Sequence, residues 1–208
     1  MTDLSALTAA VEAGDRKTAV AVTQSAIDDG IAPQLILDAM TRAMEVVGGK
    51  FSRNELYVPE MLISARAMKE STALLEPLLV KAGIKPLHTA VIGTVKGDLH
   101  DIGKNLVGMM WKGANIAVVD LGSNVSAEQF VSAAKEHGAD LIGVSALLTT
   151  TMVGMKAVVT AVREAGLQTK VLVGGAPLTP EFAASIGADG YAPDAASAVD
   201  VAKGLLGA

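Results

Sequence analysis

His88-Thr-Ala-Val-Ile-Gly-Thr-Val95, then Lys96, then Gly97-Asp-Leu-His-Asp-Ile-Gly-Lys-Asn105, is the stretch on which the fold turns. The first part is a short apolar run with β-branched residues, the pattern of a buried strand, and the second begins with a glycine. His100, one of three histidines in the chain, therefore falls at a strand end, two residues after Asp98 and three before Gly103. A histidine that binds a metal through one ring nitrogen needs a partner for the other. A nearby carboxylate fixes the tautomer and makes the imidazole more electron-donating. Gly103 lets a bulky ligand approach the backbone. On these residues alone, a loop histidine held by Asp98 for structural reasons is the favoured reading.

Downstream of this stretch, apolar runs alternate with amphipathic helix patterns. Strands are expected at His88–Val95, Asn115–Leu121, Asp140–Ala146, Lys170–Val173 and around Gly190-Tyr191. Helices are expected at Ile102–Lys112, Ala127–Glu136, Met152–Ala165, Pro180–Ser185 and Ala195–Leu206. Ser126-x-x-Gln129 reads as a capping box, and Thr179-Pro180 as an N-cap followed by proline at the first helical position. Five strand–helix alternations specify an α/β fold, a doubly wound parallel five-stranded sheet in the flavodoxin-like order 2-1-3-4-5. In that order the ends of strands 1, 3 and 4 share one edge, the edge at which open α/β sheets bind ligands.

Upstream the texture differs. Leu4–Ala13 reads as a helix ended by Gly14. Asp15 caps a second, Arg16–Asp29, ended by Gly30. Pro33 suits the first turn of a third, Pro33–Val47, stopped by Gly48-Gly49. A fourth runs Pro59–Lys81, with Pro77 expected to kink it or end it early. Four helices with short connections predict a four-helix bundle. Residues 82–87 form a linker, so the expected domains are 1–83, helical, and 84–208, α/β.

Composition excludes several classes. The chain has 208 residues, half of them hydrophobic, enough for one large or two small domains. No cysteine is present, which removes disulfides, thiolate nucleophiles and cysteine-ligated zinc or iron–sulfur sites. The net charge of −5 without a Lys/Arg cluster, and 3% aromatic residues, argue against a nucleic-acid partner. Met1-Thr-Asp-Leu-Ser lacks a basic segment leading an apolar core, and no run has the length of a membrane span; a cytoplasmic protein without a membrane partner is expected. Gly93-Thr-Val-Lys-Gly97 has no GxGxxG, Gly103-Lys104-Asn105 lacks the Walker hydroxyl, and no Gly-x-Ser-x-Gly elbow occurs.

Two downstream partners make the motif specific. Asp98-x-His100-x-x-Gly103 is succeeded after 41 residues by Ser145-x-Leu147, and after 26 more by Gly174-Gly175. This three-part pattern resembles the corrinoid signature of cobalamin-dependent methyltransferases and mutases. Glu55–Met68 in turn resembles the helical cap of that family, with Tyr57, Met61 and Met68 as apolar contacts to the cofactor; methionines at helical spacing also read as ordinary core. The whole chain is similar to the small corrinoid proteins of one-carbon methyltransferase systems, and to the cap and B12-binding domains of cobalamin-dependent methionine synthase.

That resemblance implies cobalamin or a related corrinoid bound base-off, with His100 as the cobalt ligand and the displaced nucleotide tail in a slot between sheet and helices. It implies cofactor contacts from Gly97, Asp98, Asp101, Ile102 and Gly103. Further contacts are implied from Ser145, Leu147 and Thr149, from Gly174 and Gly175, and from Tyr191 and Ala195 in the loop closing on the nucleotide. Asp98, His100 and the hydroxyl of Thr151, six residues beyond Ser145, would form a relay. Thr151 is β-branched and so more restricted than the serine of relatives. Thr151 also reads as an N-cap for a helix starting at Met152, and Asp194 as a cap for the last helix.

The implied function is a methyl carrier. Co(I) accepts a methyl group from a substrate-specific methyltransferase, acting on methanol, a methylamine, a betaine or a methoxylated aromatic. Methyl-Co(III) passes it to a second methyltransferase with a tetrahydrofolate-type or thiol acceptor. A reductive activase is a further implied partner. A chain of 208 residues has no room for a substrate-binding barrel, so a carrier is expected rather than a complete enzyme. A cobalamin-dependent sensor and the cobalamin subunit of a mutase are the alternatives. No DNA-binding basic helix supports the first, and a cap that shields a methyl rather than an adenosyl group disfavours the second.

Overall fold

His88–Thr94 forms β1, the second strand of a five-stranded parallel sheet whose order is 2-1-3-4-5, as expected. The other strands are β2 (Ile116–Asp120), β3 (Leu141–Ser145), β4 (Lys170–Gly174) and β5 (Gly190–Ala192). They are separated by α5 (Ile102–Gly113), α6 (Ala127–His137), α7 (Thr149–Met152) with α8 (Gly154–Glu164), and α9 (Pro180–Ser185), and followed by α10 (Ala195–Leu206). The N-terminal helices are α1 (Leu4–Glu12), α2 (Arg16–Asp28), α3 (Pro33–Ser52) and α4 (Val58–Lys81). This computed structural model describes residues 2–207; Met1 and Ala208, the outermost residues of the two expected domains, lie outside the described residues.

The chain divides into two compact units. One runs to Pro86 and includes Gly113–Asn115; the other comprises Leu87–Lys112 and the chain from Ile116 onward. In the helical unit, Leu7, Ala10 and Val11 of α1 and Ile36, Met40, Met44 and Val47 of α3 are buried. On α4 the buried stripe is Met61, Ser64, Ala67, Met68, Ser71 and Leu75, at the three- and four-residue spacing of an amphipathic helix.

Two local stop signals are overrun, each for a packing reason. α3 continues through Gly48-Gly49 to Ser52. Gly48 is buried beside Val47 and Met44 on the same stripe, and this packing outweighs the roughly 1 kcal/mol by which a helical glycine is disfavoured. The helix stops instead before Asn54, whose φ of 57° is left-handed. α4 likewise passes Pro77 and ends at Lys81. Pro77 and Ala73, whose carbonyl loses its partner, are both exposed, so water can satisfy that group.

In the α/β unit the central strands β1, β3 and β4 are mostly buried, as strands of a parallel sheet between helix layers must be. Val91, Ile142, Val144, Val171 and Val173 share a core with Phe130 of α6 and with Met155, Val158 and Val162 of α8. Trp111 of α5 is fully buried, and its indole N–H donates to the Ala198 carbonyl of α10 at 3.0 Å. The capping box at Ser126–Gln129, the Thr179 N-cap with Pro180, and the Asp15 cap all form as read. The helix expected over Met152–Ala165 is broken at Val153 into α7 and α8.

Candidate functional site

The register of the sheet assembles the site. Thr94 pairs with Ser145, Ser145 with Gly174, and Gly174 with Ala192, so the carboxyl ends of β1, β3, β4 and β5 lie side by side. Each strand there gives way to a loop. The loop after β1 carries Gly97, Asp98, His100 and Asp101, and Ile102 and Gly103 open α5. The loop after β3 carries Leu147, and Thr149 begins α7. Gly174 ends β4, and Gly175 follows it. Tyr191 lies in β5, and Ala195 begins α10.

Asp98 is the centre of this edge. It is fully buried, and its carboxylate accepts four hydrogen bonds. Oδ1 accepts from the His100 backbone N–H at 3.0 Å and faces His100 Nδ1 at 2.9 Å. Oδ2 accepts from the Leu147 N–H at 2.8 Å and from Thr151 Oγ1 at 2.7 Å. Burial alone pushes this carboxyl up, but the bonds from Leu147, Thr151 and His100 outweigh it and hold Asp98 well below the usual carboxylate range. A charged carboxylate can only accept, so His100 Nδ1 carries the hydrogen and Nε2 the lone pair. The His100 side chain is 54% exposed, and its backbone carbonyl accepts from the buried Thr94 hydroxyl at 2.8 Å.

Thr151 lies inside α7, with Leu148 at the N-cap position. The reading of Thr151 as an N-cap before Met152 is therefore corrected: its hydroxyl reaches Asp98 and also lies 3.0 Å from the Leu148 carbonyl. Asp194 does cap α10, accepting from the Ala196 and Ser197 N–H groups. The Tyr191 hydroxyl donates to the Leu178 carbonyl at 3.1 Å. Gly175 has φ +141° and lies against β3 so closely that a Cβ would stand 1.8 Å from the Ala146 carbonyl oxygen. Gly103 is the opposite case: a Cβ there would meet no heavy atom within 4 Å. In the helical unit, Tyr57, at the N-cap position of α4, is 64% exposed, whereas Met61 and Met68 are buried on the α4 stripe described above.

Three features of this edge were not anticipated from the sequence. The two loops joined through Asp98 expose a group of large apolar side chains: Leu99 at 74%, Ile102 at 81%, Val153 at 65%, and Leu147 and Leu148. Lys104 is buried and places Nζ 2.6 Å from both Asp120 oxygens and from Asn105 Oδ1. Asn124 bonds the loop after β1 at two points. Exposed apolar residues flanking the motif were the available signal for the first. The other two depend on strand order, which brings the end of β2 beside β1.

One half-exposed imidazole with a fixed tautomer, an apolar rim and free space beside a glycine define a ligand-binding α/β domain suited to a large, partly apolar group approached through a single nitrogen donor. Among the described residues no three His, Asp or Glu side chains gather to hold a metal ion, and no helix is long and apolar enough to cross a membrane.

Comparison with known proteins gives the family. B12 binding domain models match residues 88–200 and, separately, residues 4–76. A corrinoid protein of Desulfitobacterium hafniense is 41% identical over 213 residues, covering 100% of this chain and 99% of that one. The dimethylamine corrinoid protein of Methanosarcina barkeri is 41% identical over 194 residues, covering 92% and 91%. Among solved structures, the methanol:cobalamin methyltransferase complex MtaBC of Methanosarcina barkeri matches with a TM-score of 0.87 at 30% identity, covering 99% of this chain and 80% of that one. The chain belongs to the B12-binding corrinoid protein family, with a helical cap followed by a B12-binding domain.

The site fits such a group on its own chemistry. A corrin ring brings its own equatorial donors, so a single imidazole nitrogen suffices. Its bulky flanks suit the exposed Leu99, Ile102 and Val153, and the space beside Gly103 offers room for an appended tail.

Proposed function

We propose that this protein is a corrinoid methyl carrier. It would receive a methyl group from a substrate-specific methyltransferase and surrender it to a second methyltransferase with a tetrahydrofolate-type or thiol acceptor, with a reductive activase restoring it after oxidation, in the cytoplasm. The observation that carries this reading is the His100 Nδ1–Asp98 pair at 2.9 Å, which leaves Nε2 as a directed donor on an exposed imidazole. The relatives' names support it: one is a dimethylamine corrinoid protein, and another belongs to a methanol:cobalamin methyltransferase complex.

When bound, a corrinoid supplies a cobalt centre that takes up and releases a methyl group. The chain's residues would hold it base-off. His100 Nε2 is the cobalt ligand. Gly97, Asp98, Asp101, Ile102 and Gly103, with Ser145, Leu147 and Thr149, would help to hold it. Gly174, Gly175, Tyr191 and Ala195 would surround the nucleotide tail. Asp98 holds the hydrogen on Nδ1 and keeps the ring oriented. Thr151 donates to the far oxygen of Asp98 and so completes the relay.

The test uses protein labelled with nitrogen-15 histidine and loaded with Co(II) cobalamin. Its EPR spectrum is expected to show a superhyperfine doublet in place of the triplet of unlabelled protein, and the doublet disappears in His100→Ala. Label-dependent coupling that persists in that variant overturns the ligand assignment. Saturable methyl transfer from methanol or a methylamine to a thiol by the isolated, reduced protein overturns the carrier reading.

A further inference from the structure

Asp98 and His100 sit in a loop, and a ligand on a loop must be held from outside. The Asp98 side chain is held from the β3 side by Leu147 and Thr151. Its backbone is held from the β2 side by Asn124. The Asn124 N–H donates to the Asp98 carbonyl at 2.9 Å, and the Asn124 side-chain carbonyl accepts from the Gly97 N–H at 2.8 Å. One residue thus grips the donor of Gly97 and the acceptor of Asp98, two positions before His100.

The grip is anchored to the strand that carries the loop. The Thr94 N–H donates to the Gly122 carbonyl at 3.0 Å, the Val125 N–H donates to the Thr94 carbonyl at 2.9 Å, and Val95 pairs with Val125. Asn124 stands between these fixed points with φ +58°, a left-handed conformation that asparagine tolerates better than most residues. The loop after β2 therefore forms a short, closed brace from the end of β1 back to the Asp98 backbone.

We infer that Asn124 is a positioning residue for the His100–Asp98 pair, governing how firmly the imidazole is presented to a corrinoid. The inference rests on the reading of His100 as the cobalt ligand. Gly97 is exposed, so its N–H finds water when the asparagine side chain is removed. The side-chain bond therefore contributes little to keeping the domain folded; it contributes order to the loop.

Three proteins test this: wild type, Asn124→Gly, which keeps the left-handed backbone and loses the acceptor, and Asn124→Asp, which keeps both. Loaded with Co(II) cobalamin, the glycine variant is expected to show a roughly fivefold fall in the ratio of imidazole-bound to imidazole-free cofactor by EPR, the loss of about one hydrogen bond. The aspartate variant restores the ratio. In the corrinoid-free proteins, amide hydrogen exchange at Gly97 quickens in Asn124→Gly and stays at the wild-type rate in Asn124→Asp. Unchanged Gly97 exchange and an unchanged ratio in the glycine variant overturn the inference. So does a lowered Tm in both variants with no change in ratio. If wild type shows no protein nitrogen coupling, the reading of His100 as ligand fails, and the Gly97 exchange rates still decide whether Asn124 braces the loop.

Discussion

The hydroxyl of Thr151 donates to Asp98 Oδ2 at 2.7 Å across 53 residues of chain. It meets a buried charge, so its removal is felt beyond one neutral hydrogen bond. Thr151→Val, which keeps the shape and loses the donor, is expected to cost the corrinoid-free protein about 1.5–3 kcal/mol. Thr151→Ser keeps the donor and should stay within about 1 kcal/mol. Urea unfolding of both checks this, and a Thr151→Val loss no larger than that of Thr151→Ser contradicts it.

Acid should expose the same carboxylate. The folded-state pKa of Asp98 is depressed, so its contribution to stability is full above the unfolded value of about 4 and is lost as pH falls below it. Asp98→Asn has no such dependence. The stability difference between wild type and variant, measured without corrinoid, should therefore shrink from pH 7 to pH 3. Titrating groups that do not touch Asp98 are common to both proteins and cancel, and making the comparison in a His100→Ala background removes the imidazole that does touch it. A difference that stays constant over this range contradicts the assignment.

Two glycines of the site should respond oppositely. Gly175→Ala drives a Cβ into the Ala146 backbone carbonyl, at a φ that L residues rarely adopt, and should prevent folding or lower Tm by more than 10 °C, a loss of roughly 2–3 kcal/mol or more for a chain of this size. Gly103→Leu meets open space and replaces glycine within a helix, so the corrinoid-free protein should be as stable as wild type or up to about 1 kcal/mol more so. Its cobalamin affinity should fall at least tenfold. Undiminished affinity would place the nucleotide tail elsewhere.

The Lys104–Asp120 pair is lopsided: the lysine side chain is 1% exposed and the aspartate 42%. Asp120→Ala strands a buried ammonium and should cost about 3–5 kcal/mol. Lys104→Met leaves only a carboxylate that water can reach and should cost about 1 kcal/mol or less. Denaturant midpoints of the two variants give the order directly, and the reverse order would mean that Asp120 is the dependent partner.

Strand order and the partition of helices were legible from alternating runs and caps, whereas the Asp98–His100–Thr151 constellation was legible only through the resemblance to the corrinoid proteins. What escaped depends on contacts distant in sequence. Gly48-Gly49 and Pro77 are strong local stop signals, yet burial of one helix face and solvation of the other carry α3 and α4 past them. The break at Val153 lets Thr151 reach Asp98 from α7, a demand that comes from β1 rather than from the helix's own residues. Asn124 reads locally as an ordinary turn residue. Its role exists only because the sheet seats the end of β2 against the loop after β1.

Asp98 gathers its partners from chain segments made at different moments of synthesis: His100 beside it, Asn124 later, and Leu147 and Thr151 later still. A ribosome-bound fragment ending before β3 contains Asp98, His100 and Asn124, but not the two donors to Asp98 Oδ2. The buried carboxylate is therefore fully partnered only in a chain that has reached α7, which ties the order of this loop to completion of the third strand and the helix after it.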